Sequence, residues 1–361
     1  MWNQPRSVRV RRCLVACVVT SFLLVTGCHR VEEPLPALPE RLISISDKFF
    51  DVAALDADTA VVVGYGGKIL RTADRGFSWT RIPSGTSEAL YRVRFVDAKR
   101  GWISGQDGIV LHSEDGGLSW SRQQTNTNAY LFSVHFVDAE FGWAVGDRSL
   151  AVHTRDGGRT WTLHKIGSAT GEKLTADQAL AEQDPILYDV FFLDRERGWV
   201  SGEFGRLFQT TDGGQTWHAR ETSLLGPEIV DVLDIPTFFG VQFTPQNEGI
   251  AVGLEGKIAR SLDGGTTWKL DTVSSDLALT DPLFAPFLFP DGTGWIVGSS
   301  GQVLRRAVPG EPWKATSLGM DVATWLRSVT WWNDQIGWIV GGYGLILYTR
   351  DGGRVWMPAL R

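Results

Sequence analysis

The chain has 361 residues, 11% of them aromatic and 21% charged, with 41 glycines and a formal net charge of −6. That length is enough for two ordinary domains or one large repeat array, and the glycine and aromatic content suits an all-β fold with many tight turns. The acidic balance argues against a nucleic-acid partner, which would need a basic surface.

The first 28 residues read as an export signal. Arg6, Arg9, Arg11 and Arg12 form a positive leader, followed by an apolar run over 14–25 that is short for a bilayer span. The run ends in Val25-Thr26-Gly27-Cys28, which resembles the bacterial lipoprotein lipobox. The resemblance implies that Cys28 is diacylated and anchors the protein to a membrane; an uncleaved anchor helix is the alternative. His29, standing where an aspartate would signal inner-membrane retention, favours the outer membrane, with the folded part facing the periplasm. Cys13, Cys17 and Cys28 all lie in this segment, so the mature domain has no disulfide and no thiol site. Loss of the four arginines leaves 31 of the 35 basic side chains against 41 acidic ones, a net charge of −10. Residues 29–40, with Pro34, Pro36 and Pro39, are expected to form an extended tether or to be disordered.

From residue 41 onward a phrase, Asp-Gly-Gly-x-Ser/Thr-Trp, sets the organisation. It stands at Asp115 to Trp120, Asp156 to Trp161, Asp212 to Trp217 and Asp263 to Trp268, and in altered form at Asp74 to Trp79 and Asp351 to Trp356. A seventh copy lacks its aspartate: Val308 stands at the Asp position and Trp313 closes it. Measured from the Asp position the steps are 41, 41, 56, 51, 45 and 43 residues. A period of about 40–50 matches one four-stranded propeller blade, so 41–361 is expected to be a seven-bladed β-propeller. The carboxylate of the phrase suits a turn that needs a hydrogen-bond acceptor, its glycines suit positive φ, and its tryptophan suits a buried anchor. These residues are read as structural. Of the 16 tryptophans, seven close the phrase and five more stand in a second recurring pair, Gly-Trp, at Trp102, Trp143, Trp199, Trp295 and Trp338.

Each repeat contains four short β-rich runs, which we call strands A to D from the central channel outward. The expected A strands cover 50–55, 90–97, 131–137, 187–193, 238–243, 286–289 and 326–332. The phrase falls at the C-to-D turn. The last D strand reaches the C-terminus, and residues 41–46 are left as a possible addition to ring closure. The three stretched steps are consecutive, and their extra length lies between strand D of one blade and strand A of the next, over 167–185, 223–236 and 274–286. Such connections share one face of a propeller. They carry Glu172, Asp177, Glu182, Asp184, Glu228, Asp231, Asp234, Asp276 and Asp281 against Lys173, and 175–182 could form a turn or two of helix capped by Thr175. This acidic rim is the candidate partner-binding surface; tolerated solvated insertions are the equal alternative.

Catalytic signals are lacking. Arg81-Ile82-Pro83 resembles a sialidase element but follows its Asp box instead of preceding it. His112, His135, His153, His164 and His218 have no metal-ligand spacing, and Gly64-Tyr-Gly-Gly and Gly342-Tyr-Gly read as blade turns instead of phosphate loops. Xyloglucan-cleaving glycosidases also carry Asp boxes on seven-bladed propellers, but face two propellers across a cleft. A carbohydrate-binding or hydrolytic propeller therefore stays open as the alternative, to be tested by whether two carboxylates pair in the channel within about 10 Å. No cofactor or metal is called for, and a monomer is expected.

The lipobox, the proline-containing tether, the Gly-Trp-x-x-Gly-x-x-Gly runs and the Asp-Gly-Gly-x-Thr-Trp turns together resemble the Ycf48 family, the photosystem II assembly and stability factors of photosynthetic organisms and their relatives in other bacteria. The resemblance runs from about Phe49 to Arg361. It implies a non-enzymatic scaffold that binds a newly made membrane protein. In photosynthetic members a basic arginine patch is implicated; here Arg92 and Arg94 share one A strand, and no repeating arginine motif aligns. With the acidic mature charge, this points to a bacterial relative serving a membrane or cell-envelope complex.

Overall fold

In the computed structural model the chain divides into two units, Met1–Glu40 and Arg41–Arg361. The structure describes residues 42–167, 184–231, 234–274 and 278–359, all within the second unit. These form seven four-stranded antiparallel sheets, each built from strands consecutive in the chain. The A strands are Phe49–Ala54, Leu90–Phe95, Leu131–Phe136, Leu187–Phe192, Phe238–Phe243, Leu283–Leu288 and Leu326–Trp331. Each touches the A strand of the next blade, and that of blade seven touches that of blade one, closing the ring. The B strands read Gly-x-x-x-Gly in six blades and are buried throughout.

Strand A of blade six departs from expectation. It begins at Leu283, three residues before Pro286. A proline inside a strand normally removes a ladder hydrogen bond, but A strands line the channel and their outward N–H groups meet side chains of the preceding blades. Val93 N–H donates to Asp51, Val190 N–H to Ser133 and Val241 N–H to Asp189. Pro286 faces Gly240, which has no side chain to accept, and a Cβ on that glycine would stand 2.7 Å from the proline ring.

The hydrophobic core is seven clusters, each wedged between adjacent blades. The Asp box clasps these wedges. In blade three, Asp156 Oδ1 accepts from the Thr160 N–H at 2.9 Å and the Thr154 hydroxyl at 2.8 Å, and Oδ2 accepts from the Thr160 hydroxyl at 2.7 Å. Gly157 and Gly158 turn the backbone at φ 75° and 89°, where a side chain would be strained. The box belongs as much to the preceding blade as to its own. Trp217 meets Trp143 edge to face at 5.7 Å, Trp356 meets Trp295 at 5.9 Å and Trp79 meets Trp338 at 5.8 Å; Trp199 donates its Nε1–H to Gly264 O at 2.9 Å. The Gly-Trp tryptophan of one blade is thus the seat for the next blade's box.

Blade six shows the converse. Its box has no aspartate, and the seat in blade five is Ile250 instead of tryptophan. Two residues before the box position, where the other blades carry Thr72, Ser113, Thr154, Thr210, Ser261 and Thr349, blade six has Arg306. Its side chain is fully buried over the Trp313 ring and donates to Gly292 O at 2.8 Å, Glu248 at 2.6 Å and Asp271 at 3.5 Å.

Residues 42–47 complete the ring. Ile43 is buried in the cluster between blades seven and one, and Gly344 N–H donates to Asp47 O at 2.8 Å. In other blades the connector to the next blade fills this place, as where Gly108 N–H meets Ala129 O at 2.8 Å. Gly344 has φ +67°, and a Cβ there would stand 2.3 Å from Ser44 O. All four strands of blade seven nonetheless come from its own repeat.

Candidate functional site: the channel and its connector face

Strand direction alternates across each blade, so the D-to-A connectors and B-to-C turns share one face, and the Asp boxes lie on the other. Of the acidic candidates on the connector face, Asp184, Glu228, Asp231, Asp234 and Asp281 are described; Glu172, Asp177, Glu182 and Asp276, with the expected helix at 175–182, lie outside the described residues. Asp184 pairs with Lys165 at 2.6 Å, both about half exposed. Glu228, Asp231 and Asp234 are exposed on the connector between blades four and five. That connector is seated on the scaffold: Glu221, 2% exposed, pairs with Arg206 at 2.7 Å, and Leu224, Ile229 and Ile235 enter the core between the two blades.

Inside the channel five of the seven third residues of the A strands, Asp51, Arg92, Ser133, Asp189 and Ser328, form a polar arc, which Gly240 and Ala285 interrupt. Arg92 bridges Asp189, with which its pairing is tightest, and Asp51 at 3.9 Å. Asp189 also accepts from the Ser133 hydroxyl at 2.7 Å, and Asp51 from the Ser328 hydroxyl. Burial works against the Arg92 charge, but Asp189 and Asp51 outweigh it and hold its pKa above the ordinary value. Arg94 reaches His135 Nδ1 at 3.4 Å and no carboxylate within ion-pair distance among the described residues. Burial, together with Arg94 and Arg92, keeps the His135 pKa well below its ordinary value, so the ring is neutral. The cavity here is about 40 Å³, room for about one water. Among the described residues, no group of three or more His, Cys, Asp or Glu side chains is placed to hold a metal.

The connector-face mouth of the channel carries a feature the sequence reading missed. In every blade the pairing of strands A and B skips the second residue of strand A. A bulge of this kind re-aims a side chain. The residues so presented are Phe50, Tyr91, Phe132, Tyr188, Phe239, Phe284 and Arg327. Successive aromatic centroids from Phe50 to Phe284 are 5.0–5.6 Å apart, and the Arg327 guanidinium lies 5.4 Å from the Phe284 ring. Trp325 stacks on Phe50 at 5.9 Å and 9°, and all are half-buried. Aligning the repeats on strand A, instead of on the box, would have exposed this column of aromatics.

Solved structures share the fold. One described as YCF48 bound to a D1 peptide is 19% identical, covers 88% of this chain and 99% of its own, and superposes with a TM-score of 0.64. YCF48 from Cyanidioschyzon merolae is 18% identical, with 86% and 97% coverage and a TM-score of 0.66. An ancestral GH74 enzyme is 12% identical with a TM-score of 0.68; the match covers 89% of this chain but 47% of that enzyme. At these identities each likeness shows the fold alone. No curated protein sequence matches the chain. A family model does, described as photosynthesis system II assembly factor YCF48, over residues 40–129, 119–179 and 281–359. These segments span more than half of the chain, which therefore belongs to the YCF48 family.

Proposed function

We propose that this protein is a non-enzymatic scaffold that holds a segment of a membrane or cell-envelope protein during assembly of a larger complex. The observation that carries this is membership of a family of assembly factors in which a protein of the same fold has been solved with a D1 peptide. Attachment to the outer membrane through a lipid on Cys28, with the propeller in the periplasm, fits the N-terminal sequence; the protein acts in this reading as a monomer. The acidic connectors are the outer part of that contact surface.

The channel chemistry argues against hydrolysis. A glycosidase needs one carboxylic acid to protonate the leaving group and a second carboxylate as base or nucleophile. Asp51 and Asp189 do lie within about 10 Å of each other, bridged by one guanidinium, but both are buried at 3% exposure and committed to that ion pair, and the cavity beside them, about 40 Å³, has room for about one water. Crosslinking in cells, followed by pull-down from solubilised membranes, tests the proposal. We expect one integral envelope protein to be captured repeatedly, and less of it when Glu228→Gln, Asp234→Asn and Asp281→Asn are combined. Release of reducing sugar from xyloglucan, or capture of no membrane protein, would overturn the reading.

A further inference from the structure

The aromatic girdle has no structural duty equal to its regularity. The interblade clusters are filled by other residues, and the seven bulges turn seven large side chains toward the axis. Centroid spacings of 5.0–5.6 Å between six successive rings, carried evenly round seven blades, describe a circle about 12 Å across, less the thickness of the rings. An α-helix, about 10–12 Å in diameter with its side chains, does not enter such an opening. A single side chain does.

Charge is distributed unevenly around this mouth. On blade seven, Arg327 has the Phe284 ring and its carbonyl at 3.4 Å, and no carboxylate within ion-pair distance among the described residues. Burial, with Arg92 adding to it, outweighs the opposing pull of Asp189 and Asp51 and lowers its pKa to about 10. Across the ring, on blades two to four, the acids gather. Glu88 and Asp147 act on Tyr91 and, after burial itself, help raise its pKa to about 12, and Glu203 does the same to Tyr188. Burying a charge without a partner is costly, so Arg327 favours an anionic ligand; opposite it, Glu203 accepts from the Ile186 N–H at 2.9 Å and Asp147 from the Tyr130 N–H at 3.4 Å, but neither has a cation among the described residues, and their field favours a positive group.

We propose that the girdle docks an extended peptide segment of the client with the pattern Lys/Arg–x–large apolar–x–Asp/Glu. The segment lies across the mouth, with its central side chain among the rings, its carboxylate on Arg327 and its cation toward Glu203 and Asp147. In an extended chain, residues two apart point the same way about 6.5–7 Å apart, close to the distance from the axis to the girdle. The proposal rests on the scaffold reading and specifies the part of the client that the scaffold holds.

The test uses the full-length protein in detergent and a fluorescein-labelled peptide with a Lys-Ser-Phe-Ser-Glu core, blocked at both ends, read by anisotropy. Replacing Glu by Gln in the peptide should weaken binding about fivefold or more, as expected for losing a charge-assisted pair. On Arg327→Gln protein the two peptides should bind alike, and on Arg327→Lys the preference should partly return. Replacing Phe by Ala in the peptide, or combining Phe132→Ala with Phe239→Ala in the protein, should abolish measurable binding. Thermal melts establish that each variant is folded. Equal binding of Glu and Gln peptides to the parent, or a Glu preference that survives in Arg327→Gln, overturns the proposal. If parent and Arg327→Gln capture the same membrane protein equally well, the girdle proposal fails and the scaffold reading stands. Peptide discrimination without any captured membrane protein has the reverse meaning.

Discussion

Replacing Arg306 by methionine removes the charge that substitutes for the missing box of blade six. Methionine approximates the arginine stem, so packing on Trp313 largely survives and the electrostatic loss dominates. Two carboxylates lose a partner. Glu248 keeps Arg260 at 2.9 Å, and Asp271 keeps the Trp313 Nε1–H at 2.9 Å. Removing one member of a buried ionic network costs about 3–5 kcal/mol, and these remaining partners place the loss near about 3 kcal/mol. For a unit of this size each kcal/mol lowers Tm by about 2 °C, so Arg306→Met should melt about 6 °C below the parent in a calorimetric or near-ultraviolet dichroism scan at neutral pH. Adding Asp271→Asn neutralises the carboxylate left farthest from a cation, while Glu248 stays paired with Arg260, and part of the loss should return. A single variant melting within about 1 °C of the parent, or a double variant melting lower still, would refute the assignment of Arg306 as the stand-in for the box.

Further expectations concern the clasps and the closure. Trp268→Ala, at a site 1% exposed, should destabilise by about 3–5 kcal/mol, and Trp217→Ala, half-buried, by less; urea unfolding that ranks them the other way contradicts the blade-by-blade packing. At Asp156 burial raises the carboxyl pKa, but the Thr160 hydroxyl and N–H, the Thr154 hydroxyl and the Arg159 charge outweigh it and bring it to about 2. A folded pKa below the unfolded one contributes stability that is complete above about pH 4 and lost as pH falls through about 2. Asp156→Asn should therefore flatten the acid limb of Tm against pH, and an unchanged slope argues against this role. Ile43→Ala should cost about 2–4 kcal/mol if residues 42–47 hold blade seven to blade one; hydrogen exchange at the Gly344 N–H is the local readout, and no acceleration there would deny the strap its role.

The repeat was legible because its information is local: turn chemistry, hydroxyl, carboxylate and tryptophan lie within eight residues of one another. The A strand of blade six was misplaced because Pro286 reads as a strand breaker in isolation. Its tolerance depends on Gly240, 46 residues earlier in the chain and adjacent only once blades five and six have stacked. Arg306 was missed for a like reason, since its two carboxylate partners come from blade five. The girdle lay hidden because aromatic residues at the start of a β-rich run look like core, and only the bulge turns them to the axis. The acidic connectors were located by counting, but nothing in the count showed that the one after blade four is seated by a buried Glu221–Arg206 pair.

The strap at 42–47 and the Asp51–Ser328 hydrogen bond join parts of the chain that leave the ribosome far apart in time. Blades one to six can stack as they emerge, yet Ile43 has no complete pocket and Asp51 no serine until blade seven has been made. Until then the nascent protein is an open arc with two raw flanks, each an apolar blade surface ready to adhere to whatever is near. Those flanks must stay solvent-compatible through that interval, and under the scaffold proposal the moment of ring closure also decides when the protein can receive a client.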